Sequence, residues 1–101
     1  MTSMAKACAI TDKVRQDVLK RDNHRCIICG DYRVQIAHYI SRARAGLGTP
    51  KNLGCLCVKC HTEYDNGKYH KKIKNAFKDY LKAHYPDWDE SKLTYSKWRI
   101  Y

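Results

Sequence analysis

Two Cys-x2-Cys pairs are the feature that most limits how this chain can fold. Cys26 and Cys29 form the first pair, Cys57 and Cys60 form the second, and twenty-seven residues separate the pairs. Each pair presents two sulfur atoms at the angle that a tetrahedral ion needs, and thiolates favour Zn²⁺. Gly30 directly follows the first pair and lets the backbone turn back so that its amides approach the sulfurs. The sequence predicts a four-cysteine structural zinc site, worth on the order of 10 kcal/mol to folding.

The six cysteines could instead form a disulfide framework if the chain were secreted. The N-terminus lacks the basic, apolar and small-residue succession of a signal peptide, and no run approaches the length of a membrane span. We therefore expect a cytoplasmic protein. In that reducing compartment, metal binding by the cysteines is favoured over disulfides. Cys8 stands apart from both pairs, and we expect it to be a bystander.

Length and charge indicate one small domain with a polyanionic partner. A chain of 101 residues forms a single domain, near the size at which a metal ion helps folding. Lys and Arg number 20 against 10 Asp and Glu, which gives a net charge of +10. This excess favours nucleic acid as the partner.

The residue pattern predicts an α+β fold. We expect a loosely held start over 1–10, and a short amphipathic helix from Thr11 or Asp12. Two antiparallel strands should follow over 34–40 and 52–57, joined by a basic loop over 41–51. A helix over 58–65 should end at Asn66-Gly67 in a left-handed residue, and a longer helix is expected over 68–84. The aromatic tail, with Trp88, Leu93, Tyr95, Trp98 and Tyr101, should pack back across the domain.

A set of polar residues lies between and beside the cysteine pairs. His38 ends a strand face that begins with Val34 and Ile36, which is an unusual place for an imidazole. Thirteen residues separate His38 from Asn52, and eight separate Asn52 from His61. His61 directly follows Cys60, so an ion held by the cysteines would fix its direction.

These residues resemble the motifs of the HNH endonuclease family. The matching motifs are Arg21-Asp22, Cys26-x2-Cys29-Gly30, Ala37-His38, Asn52-Leu53 and Leu56-Cys57-x2-Cys60-His61, and they cover about residues 14–66 of the single domain at 1–101. The C-terminal helix and tail over 68–101 lie outside them. The resemblance implies a ββα-metal (HNH) fold, with two strands and a helix around one divalent ion, a four-cysteine structural zinc and flanking α-helices.

The resemblance also implies a role for each residue. His38 would be the general base that takes a proton from the attacking water, and Asn52 would hold that base or its loop in orientation. His61 would bind the catalytic ion, which contacts a phosphate oxygen and the leaving 3′ oxygen. The chemistry agrees, because phosphodiester hydrolysis needs a deprotonated nucleophile and relief of charge, and imidazole titrates near neutrality.

Asp65 is the second expected ligand of the catalytic ion. It lies four residues after His61, hence on the same helical face, and a carboxylate shifts the preference toward Mg²⁺ or Mn²⁺. Many family members carry an Asp or His directly before the base, where this chain has Ala37. The ion therefore has fewer protein ligands here. Taken singly, each site residue has a plainer interpretation, such as a half-buried histidine for His38 or a turn residue for Asn52.

Basic residues near the proposed site are expected to bind phosphates. Arg42, Arg44, Lys51 and Lys59 lie close to it in sequence and predict salt-dependent contact with DNA. The lysines over 68–82 add a charged helix face, for which a solvated surface is an equal interpretation.

The sequence thus predicts a metal-dependent DNA endonuclease that leaves 5′-phosphate and 3′-hydroxyl ends. A monomer with one site should nick one strand per encounter. Compact enzymes of this pattern are frequent in phages and mobile elements, so a protein partner from such an element is a further expectation. The alternatives are a zinc-dependent module that binds nucleic acid without cutting it, which Ala37 favours, and an accessory subunit that acts only with a partner.

Overall fold

The computed structural model describes residues 2–96, which form a small domain of helices and strands. In chain order the elements are α1 (Ser3–Cys8), α2 (Asp12–Arg21), β1 (Val34–His38), β2 (Leu53–Cys57), α3 (Val58–Asn66) and α4 (His70–His84), with short 3-10 turns at Arg42–Arg44, Pro50–Asn52 and Glu90–Lys92. Between residues 2 and 96, no helix is long and apolar enough to cross a membrane.

The two strands pair antiparallel, as the alternating pattern predicts. Ala37 lies opposite Gly54 and His38 opposite Leu53 in this register. β1 ends at His38, two residues earlier than expected: the Tyr39 amide still donates to the Asn52 carbonyl at 2.7 Å, but the Ile40 amide donates to the Asn52 side chain and not to a strand. The strand pair therefore places His38 at the mouth of the loop over 41–51.

Hydrophobic side chains cover both faces of the sheet. Val34 and Ile36 pack with the fully buried Val18 of α2 on one face. On the other face lies the larger cluster, which contains Ala37, Leu56 and Tyr64 together with Ile73, Phe77 and Leu81 of α4. These three α4 residues recur at every fourth position, the spacing of one helical face. α4 thus closes the core over the sheet and α3.

A buried ion pair joins α2 to the sheet. Arg21 donates to both carboxylate oxygens of Asp22 and to the carbonyls of Pro50 and Leu53. The carboxylate of Asp22 also accepts the Cys55 amide at 3.0 Å. Burial would raise the pKa of Asp22, but these hydrogen bonds and the Arg21 charge hold it below its ordinary value. The Arg21-Asp22 motif is therefore structural, since losing either partner would leave the other charge buried and unpaired.

The N-terminal segment differs from the prediction of a loosely held start. Residues Ser3–Cys8 form α1, and the side chain of Thr2 caps it by accepting the Ala5 amide. Cys8 is only 3% exposed, and the Gly48 amide donates to the Ala7 carbonyl at 2.9 Å. Tertiary packing on the loop orders a segment that has no clear period of its own.

The end of α3 also differs from the prediction. Gly67 has φ −88° and ψ 165°, which is extended rather than left-handed backbone. Only glycine has enough room there, because a Cβ would lie 2.6 Å from the Cα and from the carbonyl oxygen of Glu63. The left-handed conformation expected of a glycine occurs instead at Gly30, where φ is +83°.

The tail packs back as predicted in its described part. Leu93 is buried, Trp88 packs against the larger core cluster, and the Tyr95 amide donates to the Ala45 carbonyl at 2.8 Å. Trp98 and Tyr101, for which the same packing was expected, lie outside the described residues.

Candidate functional site

The four cysteines of the two pairs meet at one point. The Sγ atoms of Cys26, Cys29, Cys57 and Cys60 all lie within 4.8 Å of one another, and no disulfide joins them. The Cys29 and Cys57 sulfurs are 3.5 Å apart. That separation approaches the roughly 3.8 Å edge of a tetrahedron with Zn–S bonds of about 2.3 Å, and exceeds a disulfide bond of about 2.05 Å. The cluster therefore fits a metal ion such as zinc.

Local backbone structure brings these sulfurs together. Cys57 is the N-cap of α3, and its sulfur accepts the Cys60 amide at 3.4 Å. In the first pair, the Gly30 amide donates to the Cys26 carbonyl at 2.9 Å and closes the turn. The cluster thereby ties the loop before β1 to the first turn of α3.

The thiols of this cluster suit cation binding. Burial would raise the pKa of Cys26, but hydrogen bonds from backbone amides of Cys29, Cys57 and Ile28 lower it to about 7. Burial raises the pKa of Cys60 instead, and the neighbouring sulfurs raise it further. A thiolate forms readily at Cys26, and its negative charge disfavours further thiolates at the neighbouring cysteines. A bound divalent cation removes this repulsion.

His38 is held by the N-terminal segment. Its Nε2 lies 3.0 Å from the backbone carbonyl of Cys8, which can only accept a hydrogen bond. Nε2 therefore carries the proton, and Nδ1 keeps the lone pair. Burial lowers the pKa of His38, the Cys8 carbonyl opposes this, and the charges of Arg42 and His61 lower it further. His38 is thus a neutral imidazole with one fixed tautomer.

Asn52 fixes the loop that follows His38. Its side chain is fully buried, and Oδ1 accepts the Ile40 amide at 2.8 Å. Its Nδ2 donates to the carbonyls of Ile40 at 3.1 Å and Leu47 at 2.8 Å. All the hydrogen-bonding groups of this amide serve the loop, so Asn52 fixes where β1 ends.

His61 and Asp65 form a pair on one face of α3. His61 Nε2 lies 3.6 Å from Asp65 Oδ2, and His61 Nδ1 lies 2.8 Å from Gln35 Oε1 of β1. Because the Gln35 oxygen accepts, Nδ1 carries the proton and Nε2 is free to bind a cation. Ala37 is buried in the core and adds no ligand. Over residues 2–96, the four cysteines are the only group of three or more such ligands that lie close together.

A cavity of about 420 Å³ opens beside His38. Its walls include Asp65 of α3, His70 and Lys74 of α4, and Arg44 of the loop. The ring of His70 stacks on buried Tyr64 with centroids 5.1 Å apart, and its Nδ1 contacts the Tyr64 carbonyl. Glu90 also lines it, so the cavity joins two imidazoles, two carboxylates and two cations in one concave surface.

The four basic residues expected to bind DNA lie in different places. Arg44 lines the cavity, and the charge of Arg42 acts on His38. Lys51 is paired with Asp87 at 2.6 Å, and Lys59 lines a depression beside the cysteine cluster. Of the four, the structure thus brings Arg44 to the wall of the cavity and Arg42 near His38, whereas neither lysine lines the cavity.

Sequence reasoning missed three contributors to this site. The Cys8 carbonyl and the Gln35 side chain each fix one histidine, and His70 lines the cavity. Gln35 carries a detectable signal, since it shares a strand face with Ala37, the position at which the resemblance to HNH endonucleases leads us to expect a metal ligand. A backbone carbonyl leaves no trace in residue identity, and His70 lies beyond the matching motifs.

Gly48→Ala should release His38 from the N-terminal segment. A Cβ at residue 48 would lie 2.1 Å from the Ala9 carbonyl oxygen and 2.9 Å from that of Cys8, so the segment must shift. We expect a loss of about 1–3 kcal/mol of stability, typical of overpacking. Nitrogen NMR of the imidazole should show one His38 tautomer in the native protein and a mixture in the variant. Thr49→Ala, at the exposed neighbouring residue, is the control, and a single unchanged tautomer in Gly48→Ala would contradict the assignment.

Comparison with known proteins gives a fold likeness. No family model matches the sequence, and no curated protein matches it. Among solved structures, the chain is similar to one described as the type IV phosphorothioation-dependent restriction endonuclease ScoMcrA, with a TM-score of 0.67 and 22% sequence identity. The match covers 82% of this chain and 18% of that one, so this chain corresponds to under a fifth of the larger protein. The likeness at this identity is one of fold.

Proposed function

We propose that this domain is a divalent-metal-dependent DNA endonuclease with a ββα-metal (HNH) fold and a structural zinc. The observation that carries the proposal is the environment of His38: an imidazole with a fixed tautomer and a lowered pKa, in a cavity that Asp65 also lines, with the charge of His61, the partner of Asp65, acting on it. The likeness to a restriction endonuclease supports it.

His38 acts as the general base. Its Nδ1 takes a proton from the water that attacks the phosphorus, while Nε2–H stays bonded to the Cys8 carbonyl, 3.0 Å away. The new P–O bond forms as the bond to the 3′ oxygen breaks, which leaves a 5′-phosphate and a 3′-hydroxyl. The carbonyl of Cys8 also stabilises the positive charge that His38 gains. Asn52 keeps the loop fixed through this step.

His61 Nε2 and the carboxylate of Asp65 are the ligands for the catalytic ion. They are a suitable donor pair for Mn²⁺ or Mg²⁺, which would also need oxygen ligands from outside the protein. When bound, such an ion would supply positive charge that offsets the charge developed in phosphodiester hydrolysis. Gln35 holds the ring of His61 in orientation from β1, which is a positioning role.

The cysteine cluster has a separate, structural role. Cys26, Cys29, Cys57 and Cys60 hold Zn²⁺ and fix the first turn of α3, where His61 directly follows Cys60. Four sulfur ligands leave no open position for substrate. Arg42 and Arg44 contact DNA phosphates beside His38, and Lys51 and Lys59 extend that contact away from the cavity.

A module that binds nucleic acid without cutting it is the second candidate. Ala37 favours it, because many HNH endonucleases have a metal ligand at that position. His61 and Asp65 are then the two protein ligands left for a catalytic ion. The two candidates make different predictions for the same assay.

Nicking of supercoiled plasmid DNA tests the proposal. The native protein, purified with zinc, should convert plasmid to the open circle when Mn²⁺ or Mg²⁺ is added and should be inactive without it. His38→Ala, purified in the same way, controls for contaminating nucleases. Binding of the plasmid without metal-dependent nicks by the native protein would favour the non-catalytic module instead.

A further inference from the structure

A second depression adjoins the catalytic cavity along α4. It has a volume of about 290 Å³ and is lined by Tyr39, Lys71, Lys74, Asn75, Lys78 and Glu90. Tyr39, Lys74 and Glu90 also line the cavity that contains His38. The two hollows therefore share a wall, and we call the second hollow the α4 groove.

We propose that the α4 groove binds the sugar–phosphate backbone of one DNA strand on one side of the scissile phosphate. This proposal rests on the proposed function, since it assumes that the phosphate cut by the enzyme lies beside His38. It assigns a DNA contact to residues outside the basic loop over 41–51.

Three lysines of α4 line the groove at the spacing of one helix face. Lys71, Lys74 and Lys78 lie three and then four residues apart, and all three line the depression. Seven residues of helix extend about 10 Å, which is the axial length of about three nucleotides of one strand. The lysine face thus has a length similar to that of a short strand segment.

Contacts within the groove position two of its three lysines. Lys74 Nζ lies 5.9 Å from the centroid of the Tyr39 ring, and Lys78 Nζ lies 3.9 Å from Glu90 Oε1. Glu90 also accepts the Tyr39 hydroxyl at 2.7 Å. Tyr39 directly follows His38, so this network connects the lysine face to the residue beside the catalytic base.

Glu90 is the one acidic residue that lines the α4 groove within residues 2–96. Its carboxylate repels phosphate, while its bonds to Lys78 and Tyr39 order the wall of the groove. Glu90→Gln keeps an acceptor for the Tyr39 hydroxyl and removes the charge. This variant should bind DNA more tightly than the native protein.

DNA binding as a function of salt tests the groove without cleavage. In a His38→Ala background, fluorescence anisotropy with a short labelled duplex should give a linear plot of log affinity against log salt concentration. Exchange of Lys71, Lys74 and Lys78 for Gln should weaken binding and reduce the magnitude of the slope by about 2 to 3, since each phosphate contact contributes about 0.9.

A matched control removes the same charge elsewhere. Lys13, Arg15 and Lys20 are exposed on α2, and their exchange for Gln also lowers the net charge by three. We expect this control to keep a slope near the native value. Equal slopes for the two triple variants would overturn the α4 groove and leave the nuclease proposal intact, whereas a native protein that binds no DNA would overturn the proposed function itself.

Crosslinking locates the strand relative to the cut. A photoreactive benzoylphenylalanine at Asn75, inside the groove, should form adducts within about four nucleotides of the nick and on one side of it. Adducts on both sides, or far from the nick, would contradict the proposed path. Because the chain has six cysteines, a photoreactive amino acid is preferable to a thiol label.

Discussion

Replacing His38 by alanine is expected to slow plasmid nicking about 10²- to 10⁴-fold, the usual contribution of a general base. The reason is the single free lone pair on Nδ1, which the bond from Nε2 to the Cys8 carbonyl fixes in place. His38→Asn keeps a polar group at the strand end but has no basic nitrogen, so it should be equally slow. Initial rates at saturating Mn²⁺ measure the effect.

Two further measurements make this result interpretable. His84→Ala, an exposed histidine at the far end of α4, should nick at the native rate. Both His38 variants should keep their zinc, and their stability should change by less than about 2 kcal/mol, since His38 is only half-buried. A His38→Ala protein with the native rate would show that another group, such as His70 of the same cavity, takes the proton.

The pH dependence follows from the lowered pKa of His38. Burial lowers this pKa below the ordinary 6.5, and the charges of Arg42 and His61 add to that effect against the Cys8 carbonyl. A general base must be neutral, so the rate should fall only as the pH falls through the lowered pKa. We expect the native protein to keep more than half of its maximal rate at pH 6.5, the ordinary value, and an acid limb centred well above that pH would contradict a buried base.

Much of the fold could be predicted because periodicity, caps and cysteine spacing act locally. The alternation of Val34 and Ile36 identified β1, and of the two expected N-caps of α2, Thr11 and Asp12, the structure uses Thr11. The four cysteines met because their pair spacing is itself the geometry of a metal site. These features need only neighbouring residues to be interpreted.

The N-terminal segment could not be predicted, because tertiary contacts order it. Its six-residue helix is too short to be stable alone, and its backbone carbonyls accept hydrogen bonds from the Gly48 amide and the His38 ring, which are distant in sequence. The same holds for the end of α3, where Gly67 is required by the nearby Glu63 backbone and not by a positive φ.

The candidate site could be predicted in its residue types but not in its arrangement. Asn52 holds the loop by three side-chain hydrogen bonds, consistent with the role expected from the family resemblance. Lys51 pairs with Asp87 of the tail, a contact that sequence distance conceals, while Lys74 reaches the cavity from a helix outside the motifs. Charge alone indicates a DNA partner, and only packing decides which cations reach the groove.

Cys60→Ser should unfold the domain. Structural zinc sites contribute on the order of 10 kcal/mol, which is comparable with the whole stability of a small domain. The larger core cluster contains Cys26, Cys57 and Cys60, so loss of the ion also disturbs apolar packing. Circular dichroism should show lost helix content, and a colorimetric assay should show zinc released from the chain.

Cys8→Ala is the control for a buried thiol outside the cluster. Cys8 is 3% exposed, as buried as Cys26 at 4%, but its sulfur is not among the four that meet. This variant should keep one zinc per chain and lose less than about 2 kcal/mol, the scale of a small core truncation. If Cys60→Ser melted like Cys8→Ala, the fold would not depend on the ion. Because His61 directly follows Cys60, that result would also remove the argument that the zinc fixes the direction of His61. The experiment therefore tests whether the site of the proposed catalytic ion depends on the structural zinc.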